Sequence, residues 1–231
     1  METLVTYQLD GSVATATMDD GKVNVLSVAM LAEINAALDQ AETDAAVLVL
    51  SGRPGLFSAG FDLATLRGGG SDAATMLRAG FELSERMLSF PRPLVIACTG
   101  HAIAMAAFLL LSGDYRIGAA GLYKIQANEV AIGLPMPVTA VEISRQRLTP
   151  AAFNRAVILA EPFAPNEDAV AAGFLDRVVP ADELAEAAHS TAATLTGLDM
   201  DAHAASKLRA RDPALRAIRA GIEADRGGFA P

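Results

Sequence analysis

The sequence has no tryptophan and one cysteine, Cys98. A single thiol excludes an internal disulfide framework and a thiolate zinc cluster. The three histidines, His101, His189 and His203, lie far apart and form no H-E-x-x-H helix, so their spacing does not point to a metal. Aromatic residues make up only 5%, so the apolar mass is Ala, Val, Leu, Ile and Met. Charge is also scarce, at 19%, and it is unbalanced. There are 18 Lys and Arg against 27 Asp and Glu, a net charge of −9. That balance disfavours nucleic acid as a partner, because its binders carry a basic face. Residues Met1–Gly11 lack a basic region followed by an apolar stretch, so no secretory signal is expected, and the default expectation is the cytoplasm. From Pro93 to Gly113 there is no charged residue, a length that could cross a membrane. Pro93 opens that run and Thr99, Gly100 and His101 break it. It reads as a buried strand followed by a buried helix, and no membrane partner is expected.

What is present is a chain of 231 residues, 52% hydrophobic, with mean hydropathy +0.33. Such a chain can bury a sizeable core and is not a disordered one. Leu4–Leu9 and Ser12–Met18 alternate around Asp10-Gly11, a hairpin pattern. Ser27 stands as an N-cap before Leu31, Ile34 and Leu38 at helical spacing. Ala46–Ser51 and Leu94–Cys98 are short apolar runs that read as buried strands. Gly52–Gly55 reads as a loop. The spacing predicts helices over 71–89, 102–111 and 149–160, the last with Thr149 as cap and Pro150 at its first position. Further strands are expected at 114–118, 123–126 and 174–179. A short helix, Glu167–Ala172, is stopped by Gly173. Helices follow from about Ala181 to the end. Strands alternating with helices make an α/β protein.

Familiar catalytic patterns fail. Ser58 has Gly55 and Gly60 around it, which is not G-x-S-x-G. Gly68-Gly69-Gly70 matches neither the place nor the spacing of a dinucleotide loop, and no G-x-x-x-x-G-K-[ST] occurs. Two small-residue turns remain, each following a buried strand and entering a helix. They are Phe57-Ser58-Ala59-Gly60-Phe61-Asp62 and Gly100-His101-Ala102-Ile103-Ala104-Met105-Ala106-Ala107. Small side chains let a ligand approach the backbone, and helix N-termini offer unpaired N–H groups. Two such groups converging would stabilise an oxyanion, although two tight packing turns would leave the same pattern.

These turns, with Gly113-Asp114-Tyr115-Arg116-Ile117, Asn128–Gly133 and Ala171–Val179 in the same order, resemble the crotonase, or enoyl-CoA hydratase/isomerase, family. The resemblance runs from about Val5 to Val179. It implies repeated ββα units wound into a superhelix, with a C-terminal helical segment. The expected division is an acyl-CoA-binding core over 1–180 and a helical oligomerisation segment over 181–231. It implies an acyl-CoA thioester as substrate, no separate cofactor because coenzyme A is part of that substrate, and a homotrimer or dimer of trimers. It places the two oxyanion N–H groups on Phe61 and Met105. Ala59, Gly60, Asp62, Phe108 and Leu134 fall at the substrate, with Asp62 as the cap of the following helix. Lys207 is the expected CoA-phosphate ligand. Met105 stands where the family commonly has glycine, so a narrowed pocket and, if φ is positive there, backbone strain are expected.

The family's hydratases use two glutamates. Aligned on Asp114, their places fall at Phe108 and Glu129, so one acid is retained and the other is not an acid. One carboxylate suits movement of a double bond, from 3-enoyl to 2-enoyl, and the resemblance is closest to the Δ3,Δ2-enoyl-CoA isomerases. A hydratase would need a second acid from elsewhere, with Glu82, Glu85 and Glu142 as candidates. A protein that binds acyl-CoA without turning it over is the remaining alternative.

Overall fold

The computed structural model describes residues 3–225. The hairpin forms as expected, with β1 (Val5–Asp10) antiparallel to β2 (Val13–Met18) and Gly11 in the left-handed region at φ +57°. Helix α1 (Val28–Thr43) follows, its first turn capped by the Ser27 hydroxyl, which accepts from Met30 N. The chain then alternates between two sheets. Strands β3 (Val47–Ser51), β5 (Leu94–Cys98), β7 (Tyr115–Ala119) and β9 (Arg177–Val179) extend the hairpin into a six-stranded sheet of order β1-β2-β3-β5-β7-β9. The short strands β4 (Gly55–Ser58), β6 (Gly100–Ile103) and β8 (Ile125–Gln126) form a second, three-stranded sheet of order β4-β6-β8. Every pairing after the hairpin is parallel. Each strand pair, β3–β4, β5–β6 and β7–β8, therefore sends one strand to each sheet before the chain moves on. That is the repeated ββα winding, and the fold class is α/β as the resemblance implied.

The large sheet is covered on both faces, which explains its continuous apolar strands. Leu48, Leu50, Leu94 and Ile96 face the main core with α1, α3 (Gly70–Ser89) and α4 (Met105–Leu111). Val47, Val49, Val95 and Ile117 face the other way and meet Leu184, Ala188 and Ala192 of α8 (Leu184–Leu195). Helix α9 (Met200–Ala224) buries Leu215, Ile218 and Ile222 in the main core. Residues 181–225 thus contribute to both cores.

Several boundaries differ from expectation. Gly55–Ser58 and Gly100–Ile103 are strands, not loop and helix start, because each finds its partner in the other (Gly55 opposite Gly100). Gly100 has to be glycine there, since a Cβ would sit 2.0 Å from the Gly55 carbonyl. Helix α2 (Leu63–Gly68) and α3 are separated only by Gly69. Helix α5 (Val138–Arg145) was not anticipated, and it packs against α9. After α6 (Pro150–Phe153) the turns widen into a π-helix, Asn154–Ile158. Helix α7 (Glu167–Ala172) ends at Gly173 with φ +96°.

Candidate active site

The charge-poor stretch 93–113 forms β5, β6 and α4, and the two small-residue turns meet at the start of α4. Gly60 follows β4 with φ +85°, a conformation suited to glycine. A Cβ on it would lie 2.6 Å from the Ile103 carbonyl oxygen and 3.4 Å from the Met105 nitrogen. The 59–61 turn therefore touches the 103–105 turn backbone to backbone. It is braced from the other side by Ala59 N donating to Val23 O and Leu26 N donating to Gly60 O. Ser58 helps to shape it. Its hydroxyl donates to Asn24 O at 2.7 Å and accepts from Gly60 N at 3.0 Å. Ser58 is thus a structural residue, in keeping with the absence of a nucleophile motif.

Met105 is the first residue of α4, so its N–H has no acceptor within its own helix. The expected strain falls on its neighbour, not on Met105. Ala104 has φ +52° and ψ −123°, a region that alanine rarely adopts, and such a residue costs about 1–3 kcal/mol. The Met105 side chain is fully buried and does not line the cavity, so it does not narrow it. Its Cε lies 3.5 Å from where a Gly80 Cβ would stand, and the Phe61 ring lies 2.5 Å from the same point. Gly80 on α3 thus leaves room for both.

A cavity of about 350 Å³ opens beside these turns. Ala59, Phe61, Ala104 and Phe108 wall one side. Leu63, Leu66 and Arg67 of α2 and Phe81 of α3 wall another. Asn128, Glu129, Ile132, Leu134 and Pro137 complete it. Phe81 meets Phe61 edge-on, with ring centroids 6.2 Å apart.

Glu129 lies three residues after the end of β8 and opens the 3₁₀ turn Val130–Ile132, which ends at Gly133 with φ +82°. Its carbonyl accepts from Ile132 N and Leu134 N, and this folds Ile132 and Leu134 back onto the cavity. The segment is registered to the turn that bears Met105 through Ala104 N donating to Gln126 O at 2.8 Å. Glu129 is 6% exposed, and its Oε2 is buried with no hydrogen-bond partner. Burial, only partly offset by its own backbone N–H, pushes the carboxyl up from 4.5 to about 7. Glu129 is the one carboxylate lining the cavity among the described residues. Phe108, 1% exposed, presents a ring where a second acid was sought.

The remaining candidates lie elsewhere. Asp62 caps α2, accepting from Ala64 N at 3.0 Å and Thr65 Oγ1 at 2.9 Å. Glu82 pairs with Arg78, Glu85 with Arg219 and Glu142 with Arg145, and none lines the cavity. Lys207 must be corrected as a phosphate ligand. Its side chain is 4% exposed, and its ammonium donates to Asp114 Oδ2 at 2.6 Å and to Arg92 O. Arg211 takes the other Asp114 oxygen at 2.9 Å, and Leu94 N donates to Asp114 as well. This buried cluster ties α9 to the start of β5. His101 Nδ1 accepts from Lys124 N, and its ring packs on Tyr123. Cys98 is buried with its thiol pushed up to about 12 by desolvation, so it is inert. Sequence reasoning missed Arg67 and Asn128 as lining residues. Leu66 was also missed, although its place in the turn after Asp62 could have suggested it.

An apolar cavity thus holds one buried carboxylate beside two touching backbone turns, and such a carboxylate is able to exchange a proton with a bound molecule. A family model described as enoyl-CoA hydratase/isomerase matches residues 8–230, and the chain belongs to that family, also called the crotonases. A solved enoyl-CoA hydratase/isomerase family protein from Pseudomonas syringae is 48% identical, with 98% of each chain covered and a TM-score of 0.96. The solved apo structure of an enoyl-CoA isomerase from Mycobacterium tuberculosis is 49% identical, covering 98% of this chain and 99% of that one, with a TM-score of 0.94. A probable enoyl-CoA hydratase of Bacillus subtilis is 33% identical over 135 residues, 57% of this chain. That match spans about half, 49%, of the relative's own length.

Proposed function

We propose that the protein moves the double bond of a 3-enoyl-CoA to the 2-position, with Glu129 as the single proton shuttle. The observation that carries this reading is the acid inventory of the cavity, one buried carboxylate facing an aromatic wall at Phe108. The Glu129 carboxylate takes a proton from C2, and the C2–H electrons shift toward the thioester. The charge that develops on the thioester oxygen is held by the N–H groups of Phe61 and Met105, which are worth most in a site that excludes water. Glu129 then delivers the proton to C4. The C2–H bond breaks and a C4–H bond forms, and the double bond passes from C3=C4 to C2=C3. A carboxyl near 7 both takes and returns a proton readily at neutral pH. Ala59 and Gly60 leave room for the thioester, Asp62 fixes the helix behind it, and Phe108 and Leu134 hold the acyl chain.

One name of the Mycobacterium tuberculosis protein agrees with this chemistry, whereas a second structure of the same protein is named a probable enoyl-CoA hydratase, as is the Bacillus relative. Water addition calls for a second carboxylate, and the pairings of Glu82, Glu85 and Glu142 speak against each of them. The test is Glu129→Gln assayed with 3-enoyl-CoA. Loss of a positioned acid/base costs about 10²–10⁴ in rate. An undiminished rate would remove Glu129 from the mechanism.

A further inference from the structure

Asn128 takes no part in the proton transfer proposed above, yet its surroundings ask for a role. Of the thirteen residues that line the cavity, only Arg67, Asn128 and Glu129 carry polar side chains. Asn128 Oδ1 is buried and has no hydrogen-bond partner, and the same is true of Glu129 Oε2. A buried polar atom left unpaired is costly, and such atoms in a native fold call for an explanation. Both of these atoms are acceptors while Glu129 is ionised, so they cannot satisfy each other. One proton on the Glu129 carboxyl supplies the donor that both lack.

Both side chains line the one cavity, and the backbone is fixed on either side of them. Upstream, Ala104 N donates to Gln126 O, Gln126 Nε2 donates to Ala160 O at 2.7 Å, and Ala127 is buried. Downstream, the Asn128 and Glu129 carbonyls accept from Ile132 N and Leu134 N. The reacting part of an enoyl thioester offers carbon-bound hydrogens and an acceptor oxygen, but no donor to Asn128 Oδ1. The other elements around the cavity bring Phe81 from α3, Phe108 from α4 and Arg67 from α2. Arg67 is the one other charged group lining it among the described residues, and a guanidinium favours the ionised carboxylate, not the protonated one.

We infer that Asn128 is a positioning residue whose Oδ1 accepts the hydrogen bond of protonated Glu129, holding the shuttled proton between its removal from C2 and its return to C4. This rests on the proposed shuttle role of Glu129. A hydrogen bond made to the neutral form favours that form, so Asn128 raises the affinity of Glu129 for its proton. Burial raises it independently.

The experiment is an infrared titration of the full-length protein without ligand, following the C=O stretch of the protonated carboxyl. The band is assigned by its loss in Glu129→Gln. In Asn128→Leu the expected result is a titration midpoint lower by about 0.5–1 pH unit, the worth of one hydrogen bond. The band should also move to higher frequency, as befits an unbonded carboxyl. The acid limb of the isomerisation rate should follow the midpoint. A more apolar neighbour alone would raise the midpoint, so a fall cannot come from burial. Asn128→Ser, which keeps an acceptor and removes less volume than alanine would, should retain a lower band frequency than Asn128→Leu. An unchanged or raised midpoint with an unmoved band overturns the inference while Glu129→Gln remains inactive. If Glu129→Gln still isomerises 3-enoyl-CoA, the shuttle itself is wrong and the inference falls with it.

Discussion

Burial of Glu129 should be readable as stability, not only as rate. The carboxyl titrates near 4.5 when solvated and near 7 in the fold. At about 1.4 kcal/mol per pH unit, that gap is worth about 3 kcal/mol. Between these two values the folded protein holds a proton that the unfolded chain has released. Stability therefore falls as pH rises through that window. The loss is absent below about pH 4 and complete above about pH 8. Glu129→Gln has no proton to hold, so it should lack this slope. The stability of the variant relative to the parent should thus grow by about 3 kcal/mol from pH 4 to pH 8. For a chain of 231 residues this corresponds to roughly 6–12 °C in melting temperature. The assay is a series of urea unfolding curves for both proteins across that range, with the slope of each curve checked for constancy. Parallel stability profiles would mean instead that Glu129 is as well solvated in the fold as in the unfolded chain.

Other expectations follow from the same geometry. Phe108→Glu puts a second carboxylate into the cavity wall. It should bring 3-hydroxyacyl-CoA formation from 2-enoyl-CoA above the parent's level, measured by chromatography, and cost about 3 kcal/mol or more through the lost ring. Ala104→Gly relieves a backbone conformation worth about 1–3 kcal/mol and gives back about 0.4–1 kcal/mol in chain entropy. A net gain of about 1 kcal/mol in urea unfolding is expected, and a loss would show that Ala104 is not strained. Lys207→Ala breaks a buried pair and should destabilise by about 3 kcal/mol, with Arg211 still holding Asp114. Its KM for an enoyl-CoA should stay within a few-fold of the parent's, and a large selective rise in KM would return Lys207 to the phosphate site.

The regular elements were legible where one local signal sufficed. Ser27 before a helical stripe, Asp10-Gly11 between alternating runs and Gly173 after a short helix each carry their own geometry. Gly100–Ile103 was misread because four residues make a strand only through a partner far away in sequence, at Gly55–Ser58. Helix α5 was hidden behind Leu134-Pro135-Met136-Pro137, which reads as loop although Pro137 only fixes the entry to the helix. The site was legible in part. Ala59, Phe61, Phe108, Glu129 and Leu134 line one cavity, while Gly60, Asp62 and Met105 are not among its lining residues. The strain at Ala104 left no mark, because alanine does not announce a positive φ as glycine does. Lys207 misled because it stands with Arg209 and Arg211 on a polar helix, a pattern that also suits a phosphate ligand. Its partner, Asp114, lies 93 positions away. Asn128 stood only as the first residue of a family block, and it is the unpartnered lone pairs of its buried oxygen that single it out.

The proposed chemistry at this site is proton transfer by one carboxylate, without addition of water. Incubation with 3-enoyl-CoA in D₂O, followed by mass spectrometry and NMR of the product, tests it most directly. Transfer by one buried carboxylate predicts 2-enoyl-CoA that carries at C4 mostly the hydrogen removed from C2, with little deuterium there, and no 3-hydroxyacyl-CoA. Formation of 3-hydroxyacyl-CoA at a rate matching or exceeding isomerisation would contradict it.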